Sequence, residues 1–380
     1  VAVHVGPGVD VAVGAEVLAD AVVALDALEF HHGFAQPLPD CDRGGDASLD
    51  VYVTTDGPAL DVPVDTLDAT WLWDRASAFV RIRTTSDHAQ LRRLVAEGVA
   101  RAIVLGAKAD HPRSFVMATG ASLARLATGD AADVGALRAF QAHPERALFG
   151  ERPRTEDEAR GAGVFLDYVT SRWDDDAHKL VKALIVAPVV RTPPRWERLW
   201  DEPDLFDIAR RFFMEEPGRL EGALADFSVA RTAFGTAGDA LLTAGVGDPS
   251  LALRPFRTLR YAELPRWVSA PEALEPTGCA VLEVSLDDAP LRSTMAVWFH
   301  GSPWQRWMVR VVRVGEGGRA VGDLGSDVIT DGEWSTQLDL LDGFTRVRVV
   351  VVNLGDLSYE PDVPQSANGF FAVNVGTGGR

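Results

Sequence analysis

Lysine is almost missing from this chain. Of its 37 basic residues only Lys108, Lys179 and Lys182 are lysines; the rest are arginines. With abundant Ala, Gly, Val and Asp, that skew is the mark of a GC-rich genome and carries no functional message. Basic charge is scarce as a whole: 37 Lys+Arg stand against 55 Asp+Glu, a formal net charge of −18. So acidic a surface repels phosphate backbones, and nucleic acid is not an expected partner. No apolar run approaches the roughly 20 residues that cross a bilayer, so no membrane span is expected. The only cysteines are Cys41 and Cys279, with no CxxC pair, which excludes a thiolate zinc site or a redox motif. One disulfide between distant segments and two buried free thiols both fit. A GxSxG elbow and a Walker-type phosphate loop are absent, and Gly6-Pro7-Gly8 is too short for a dinucleotide fingerprint. No two of the eight histidines lie three or four apart, so no helix carries an i,i+4 metal pair.

What remains is a globular chain. Hydrophobic residues are 47% and charged residues 24% of 380, enough apolar content for real cores in two or three domains. Val1–Val5, Leu49–Thr54 and Ala78–Arg83 read as strands, with a helix over Ala15–Phe30. From His88 to about Phe234 the periodicity is helical. The helices predicted are His88–Lys108, Phe115–Ala127, Val134–Phe140, Glu156–Ser171, Ala177–Val186, Leu205–Phe213 and Leu220–Phe234, with Pro and Gly between them. After Pro265 short strands take over: Cys279–Leu286, Thr294–Phe299, Arg306–Val314, Val328–Thr330, Thr345–Asn353 and Phe370–Val375. Their spacing and turns predict a β-sandwich of about 100 residues. The expectation is α+β: a mainly helical domain with a small N-terminal sheet over 1–265, then an all-β sandwich over 266–380. The linker is placed at 264–276.

Two clusters are candidate sites. Asp40, Asp42 and Asp46 gather oxygens beside glycines and make a weak calcium candidate, although the spacing lacks the full EF-hand loop and a solvated turn explains it as well. Trp298, Trp304 and Trp307 flank a Gly-Ser-Pro turn and are candidates for a carbohydrate- or partner-binding platform; sandwich core is the plainer explanation.

The order strand, helix, strand, strand, then a long helix at His88–Lys108 resembles the entry to an HExxH zinc metallopeptidase domain. In such enzymes the two His bind zinc and the Glu polarises water. In the gluzincin group a further Glu ligand follows about 19 residues after the second His, often in an E-G-x-A helix. Here Glu97 matches the catalytic Glu, Ala96 and Ala100 hold the two His positions, and Thr119, followed by Gly120, stands where the last ligand falls. Gly161 to Tyr168 resembles the G-x-x-x-F-x-x-Y helix of secreted bacterial metallopeptidase-like proteins, several of which end in a β-sandwich. The resemblance implies a pseudopeptidase: no zinc, no other cofactor, no hydrolysis. His88 and His111 flank the helix off the required face.

The chain opens directly on a strand-like run at Val1, which together with the resemblance suggests a processed protein that is secreted, periplasmic or at the cell surface. A protein or peptide partner, or a homo- or hetero-assembly, is expected. Two alternatives stand beside this: a structural subunit of an extracellular assembly, and a hydrolase with a non-zinc site, whose candidate carboxylates are Glu97, Asp167 and Glu283.

Overall fold

The computed structural model describes residues 1–39, 47–68, 75–109, 111–150, 154–174, 178–186, 209, 212–213, 219–236, 247–290, 292–316, 320–340, 343–355 and 368–377. The architecture is α+β: a small sheet with α-helices precedes an all-β region of two sheets. Two compact units divide it, Val1–Ala136 with Phe149–Phe212, and Leu137–Leu148 with Phe213–Arg380.

In the first unit β1 (Ala2–Val5), α1 (Val11–Asp26) and β2 (Asp50–Thr54) form a parallel crossover unit, extended by β6 (Val80–Arg83) parallel to β2. The short β3 (Leu60–Asp61) closes the edge antiparallel to β6, and β4 (Val64–Asp68) pairs with β5 (Arg75–Ala78) as a separate ribbon. Helix α1 starts where the Asp10 carboxylate accepts from the Ala12 amide, and it buries Val17, Ala21 and Ala24 at i, i+4 and i+7, with Leu28 of the wider turn Ala27–His31 continuing the stripe.

Helix α2 (His88–Ala107) is capped by Asp87 and packs on α1, α3 (Arg113–Thr128), β5 and β6. Surrounded in this way, it is buried continuously from Leu94 to Gly106, charged residues included. Helix α4 (Val134–Gln141) follows, then α5 (Glu156–Ala162), α6 (Val164–Trp173) and α7 (Lys179–Ile185). The helix expected over Glu156–Ser171 is broken at Gly163. A Cβ there would collide with the Ala118 carbonyl of α3, so the close approach of backbone to backbone requires glycine. Most of the helix expected over Leu205–Phe213 lies outside the described residues.

The second unit contains α8 (Arg219–Arg231), β7 (Arg257–Arg260), β8 (Arg266–Ser269), β9 (Cys279–Ser285), β10 (Thr294–Gly301), β11 (Arg306–Gly315), β12 (Ala320–Gly325), β13 (Glu333–Asp339), β14 (Phe344–Gly355) and β15 (Phe371–Thr377). One sheet runs β12-β11-β14-β9-β7 and the other β13-β10-β15-β8. Val309, Val311, Val347, Val349 and Val351 from the first meet Val297, Phe299, Val373 and Val375 from the second in one core. Strand β14 is central, and α8 packs on it and on β11. Both faces of β14 are therefore buried, which is why its sequence runs Val349-Val350-Val351-Val352 without alternation.

Strand β7 joins the five-stranded sheet ahead of the expected linker, and β8 lies inside it. The strand expected at Val328–Thr330 is a single bridge, Ile329 to Trp307. Strand β13 was not anticipated, although Glu333-Trp334-Ser335-Thr336-Gln337-Leu338-Asp339 alternates polar and less polar residues as a half-buried strand does.

Candidate functional site

At the metallopeptidase-like positions, Ala96, Ala100 and Thr119 are all buried. The alanine methyls offer no donor atom, and the Thr119 hydroxyl has no hydrogen-bond partner. Glu97, one turn ahead of Arg101 on α2, is 2% exposed. Its Oε1 accepts from Arg101 Nη2 at 2.5 Å, and its Oε2 accepts from Arg160 Nε at 2.9 Å. Arg160, on α5, also meets Asp157 at 3.2 Å and Asp133 at 3.8 Å. Burial alone would push the Arg160 guanidinium down, but Glu97, Asp133 and Asp157 outweigh it and hold it above its ordinary value. The Arg101 side chain crosses α3 over Gly120, where an added Cβ would sit 2.5 Å from Arg101 Cγ. The Thr119-Gly120 pair thus has a packing reason of its own.

The remaining candidate carboxylates are likewise engaged. Asp167 accepts from Ser122 Oγ at 2.5 Å and from Arg125 Nε at 2.9 Å. In the second unit Glu283 accepts from Arg348 Nε at 2.9 Å and from Arg346 Nη1 at 3.5 Å. His88 pairs with Glu16 at 2.6 Å, whose hydrogen bond and charge raise the imidazole pKa. His111 is buried against Phe115, with Nε2 donating to the Ile185 carbonyl at 3.3 Å and Nδ1 unpartnered. Burial, then the charge of Lys108, pushes its pKa down to about 3. Neither histidine joins the bonds around Glu97. Among the described residues no group of three or more His, Cys, Asp and Glu is placed to hold a metal ion. Asp40, Asp42 and Asp46 lie outside the described residues, as does Cys41; Cys279 is a buried free thiol.

The three tryptophans separate. Trp307 is wholly buried: its indole N–H donates to the Ser302 carbonyl at 3.0 Å, and its ring meets Phe299 and Phe371 in the core. Trp304 is exposed in the turn between β10 and β11. Trp298, on the outward face of β10, is 41% exposed. In register beside it on β15 is Asn374, and beside Asn374 on β8 is Trp267, 60% exposed. The row Trp298–Asn374–Trp267 crosses three strands of the four-stranded sheet. Nothing in the sequence connects it, because Trp267 falls in the expected linker. The alternation of β15, Phe371-Ala372-Val373-Asn374-Val375, is the signal that places Asn374 outward.

No family model matches the sequence, and no curated protein matches it significantly. Solved structures overlap it in part. The enzymatically active domain of tailspike protein 4 of bacteriophage CBA120 does so at 10% identity over 30% of this chain and 18% of the tailspike chain, TM-score 0.21. PliG, a periplasmic inhibitor of g-type lysozyme from Aeromonas hydrophila, does so at 16% identity over 32% of this chain and 96% of the inhibitor, TM-score 0.20. A β-glucosidase from Paenibacillus barengoltzii does so at 11% identity over 34% of this chain and 14% of the enzyme, TM-score 0.13. The chain thus spans less than a fifth of the tailspike and glucosidase chains. Overlaps this partial assign neither a fold family nor an activity.

Proposed function

We propose that the protein is an exported, catalytically inactive protein of metallopeptidase-like form that acts by binding, with a protein or peptide as partner. The observation that carries this reading is the state of Glu97. A catalytic glutamate must meet water beside a metal; this carboxylate is buried and closed off by two guanidiniums. Alanines fill the positions where histidines would stand.

The test is zinc content by elemental analysis, after incubation with excess zinc and desalting, together with a casein cleavage assay. The expected result is well below one zinc per chain and no cleavage. One zinc per chain, or cleavage stopped by a chelator, overturns the reading.

A second reading, a subunit of an extracellular assembly, is favoured by α1. Its outer face exposes Val11, Leu18, Val22 and Val23, an apolar stripe of the kind that marks contact surfaces. Light scattering that grows with concentration and is abolished by Val22→Glu supports this second reading, and a monomer at every concentration removes it.

A further inference from the structure

We infer that the outer face of the four-stranded sheet is a binding shelf for an uncharged, equatorially linked pyranose chain, held by Trp298 and Trp267 with Asn374 between them. Such a sugar ring is flat and has two chemistries: C–H faces that pack on an indole, and hydroxyls around its edge that need hydrogen-bond partners. The row offers both.

The two tryptophans are in register two strands apart, so their Cα atoms are separated by about 9.6 Å, the span of two to three sugar rings. The floor beside them is low. Gly376 lies under the Trp298 ring, where a Cβ would stand 2.9 Å from the indole, so the glycine lets the ring recline on the sheet. Between the indoles, the Asn374 Oδ1 is shielded from water and has no hydrogen-bond partner. Such an acceptor is costly, and a turn of the half-buried side chain toward the open face would let a ligand hydroxyl satisfy it.

On the far side of Trp298, β13 adds exposed Ser335 in the same row and Gln337 beyond it. Within the strands of this sheet Trp267 and Trp298 are the only exposed large hydrophobics among the described residues, each with a polar neighbour in its row, which favours a sugar over an apolar protein surface. The net charge of −18 disfavours a polyanionic glycan.

The shelf goes beyond the protein- or peptide-binding reading and does not rest on it. The zinc and casein tests address the first unit, and their outcome leaves this site untouched.

The test is titration of the full chain with the hexaoses of cellulose, xylan, mannan and chitin, read by calorimetry and tryptophan fluorescence. Binding of at least one is expected, weakened roughly tenfold or more by Trp298→Ala and by Trp267→Ala. Asn374→Ala, which leaves both indoles in place, weakens it by a smaller factor, and Phe370→Ala leaves it unchanged. Cooperative urea unfolding establishes that the variants fold. No heat and no fluorescence change with any hexaose overturns the proposal, as does binding indifferent to both tryptophan substitutions. Self-association lost in the same two variants also overturns it, and assigns the shelf to a second copy of the chain.

Discussion

Around Glu97 in the first unit, residue types that suggest chemistry are consumed by structure. On the outer sheet face of the second unit, residue types that suggest a core stand in solvent. Glu97, Arg101 and Arg160 form a buried ionic cluster whose lone pairs and N–H groups face one another. Trp267 and Trp298 have the largest apolar surfaces a side chain offers, and leave 60% and 41% of themselves exposed. The identity of a residue therefore says little about its role until its burial and partners are known. The second unit repeats the contrast within itself. The outer face of its five-stranded sheet is tied to α8 by Arg306–Glu221 at 2.8 Å and Arg310–Asp226 at 3.2 Å, whereas the outer face of the four-stranded sheet carries the bare tryptophan row.

The largest expected effects come from breaking the buried members of each pair. Glu97→Ala strands the buried Arg101 guanidinium, while Arg160 keeps Asp157 and Asp133, and is expected to destabilise by about 3–5 kcal/mol in urea denaturation. Trp307→Ala opens a cavity among Phe299 and Phe371 and removes one of the two N–H groups that donate to the Ser302 carbonyl, the other being the Gln305 amide, again about 3–5 kcal/mol. A Glu97 substitution that left stability unchanged would mean the cluster is not structural, and the comparison would fail at its first term.

Much of this was legible in the sequence. The periodicity of α2 and α3, the switch to short strands after Pro265 and the central place of the Val349–Val352 run follow from spacing and composition, because both follow from which faces are buried. Glu97, Ala96, Ala100 and Thr119 lie on the two helices α2 and α3 that pack together, and the i,i+4 spacing by itself says only that Glu97 and Arg101 can meet. The contribution of Arg160, 63 residues on, has no local signature. Trp267 was illegible for the same reason: its row is assembled from β10, β15 and β8, and register between distant strands is a property of the fold.

Two smaller tests probe the packing around α3. Gly163→Ala drives a methyl group into the Ala118 carbonyl, and a loss of about 1–3 kcal/mol is expected, since neither backbone segment has room to yield. His111 supplies a pH test. Its folded pKa is pushed down to about 3, so between that value and about 6.5 the unfolded chain holds a proton that the folded chain does not. Its contribution to stability is complete above pH 6.5 and falls as the pH drops, by up to about 1.4 kcal/mol per unit. His111→Asn is expected to flatten the difference between urea midpoints at pH 7 and pH 5. An unchanged slope in that variant would place the acid sensitivity elsewhere.

The smallest expected effect is the most informative about function. Trp267→Ala removes a side chain that is mostly in water, so its cost to stability should lie within about 0.5 kcal/mol, the range of ordinary surface substitutions. Trp298→Ala should cost somewhat more, because its ring covers Gly376. A stability loss at Trp267 near that of Trp307→Ala would mean the indole is part of the core after all. A near-silent Trp267→Ala is what a ligand-facing residue gives, since the apolar area it holds is not used in folding and remains available to whatever docks on the sheet.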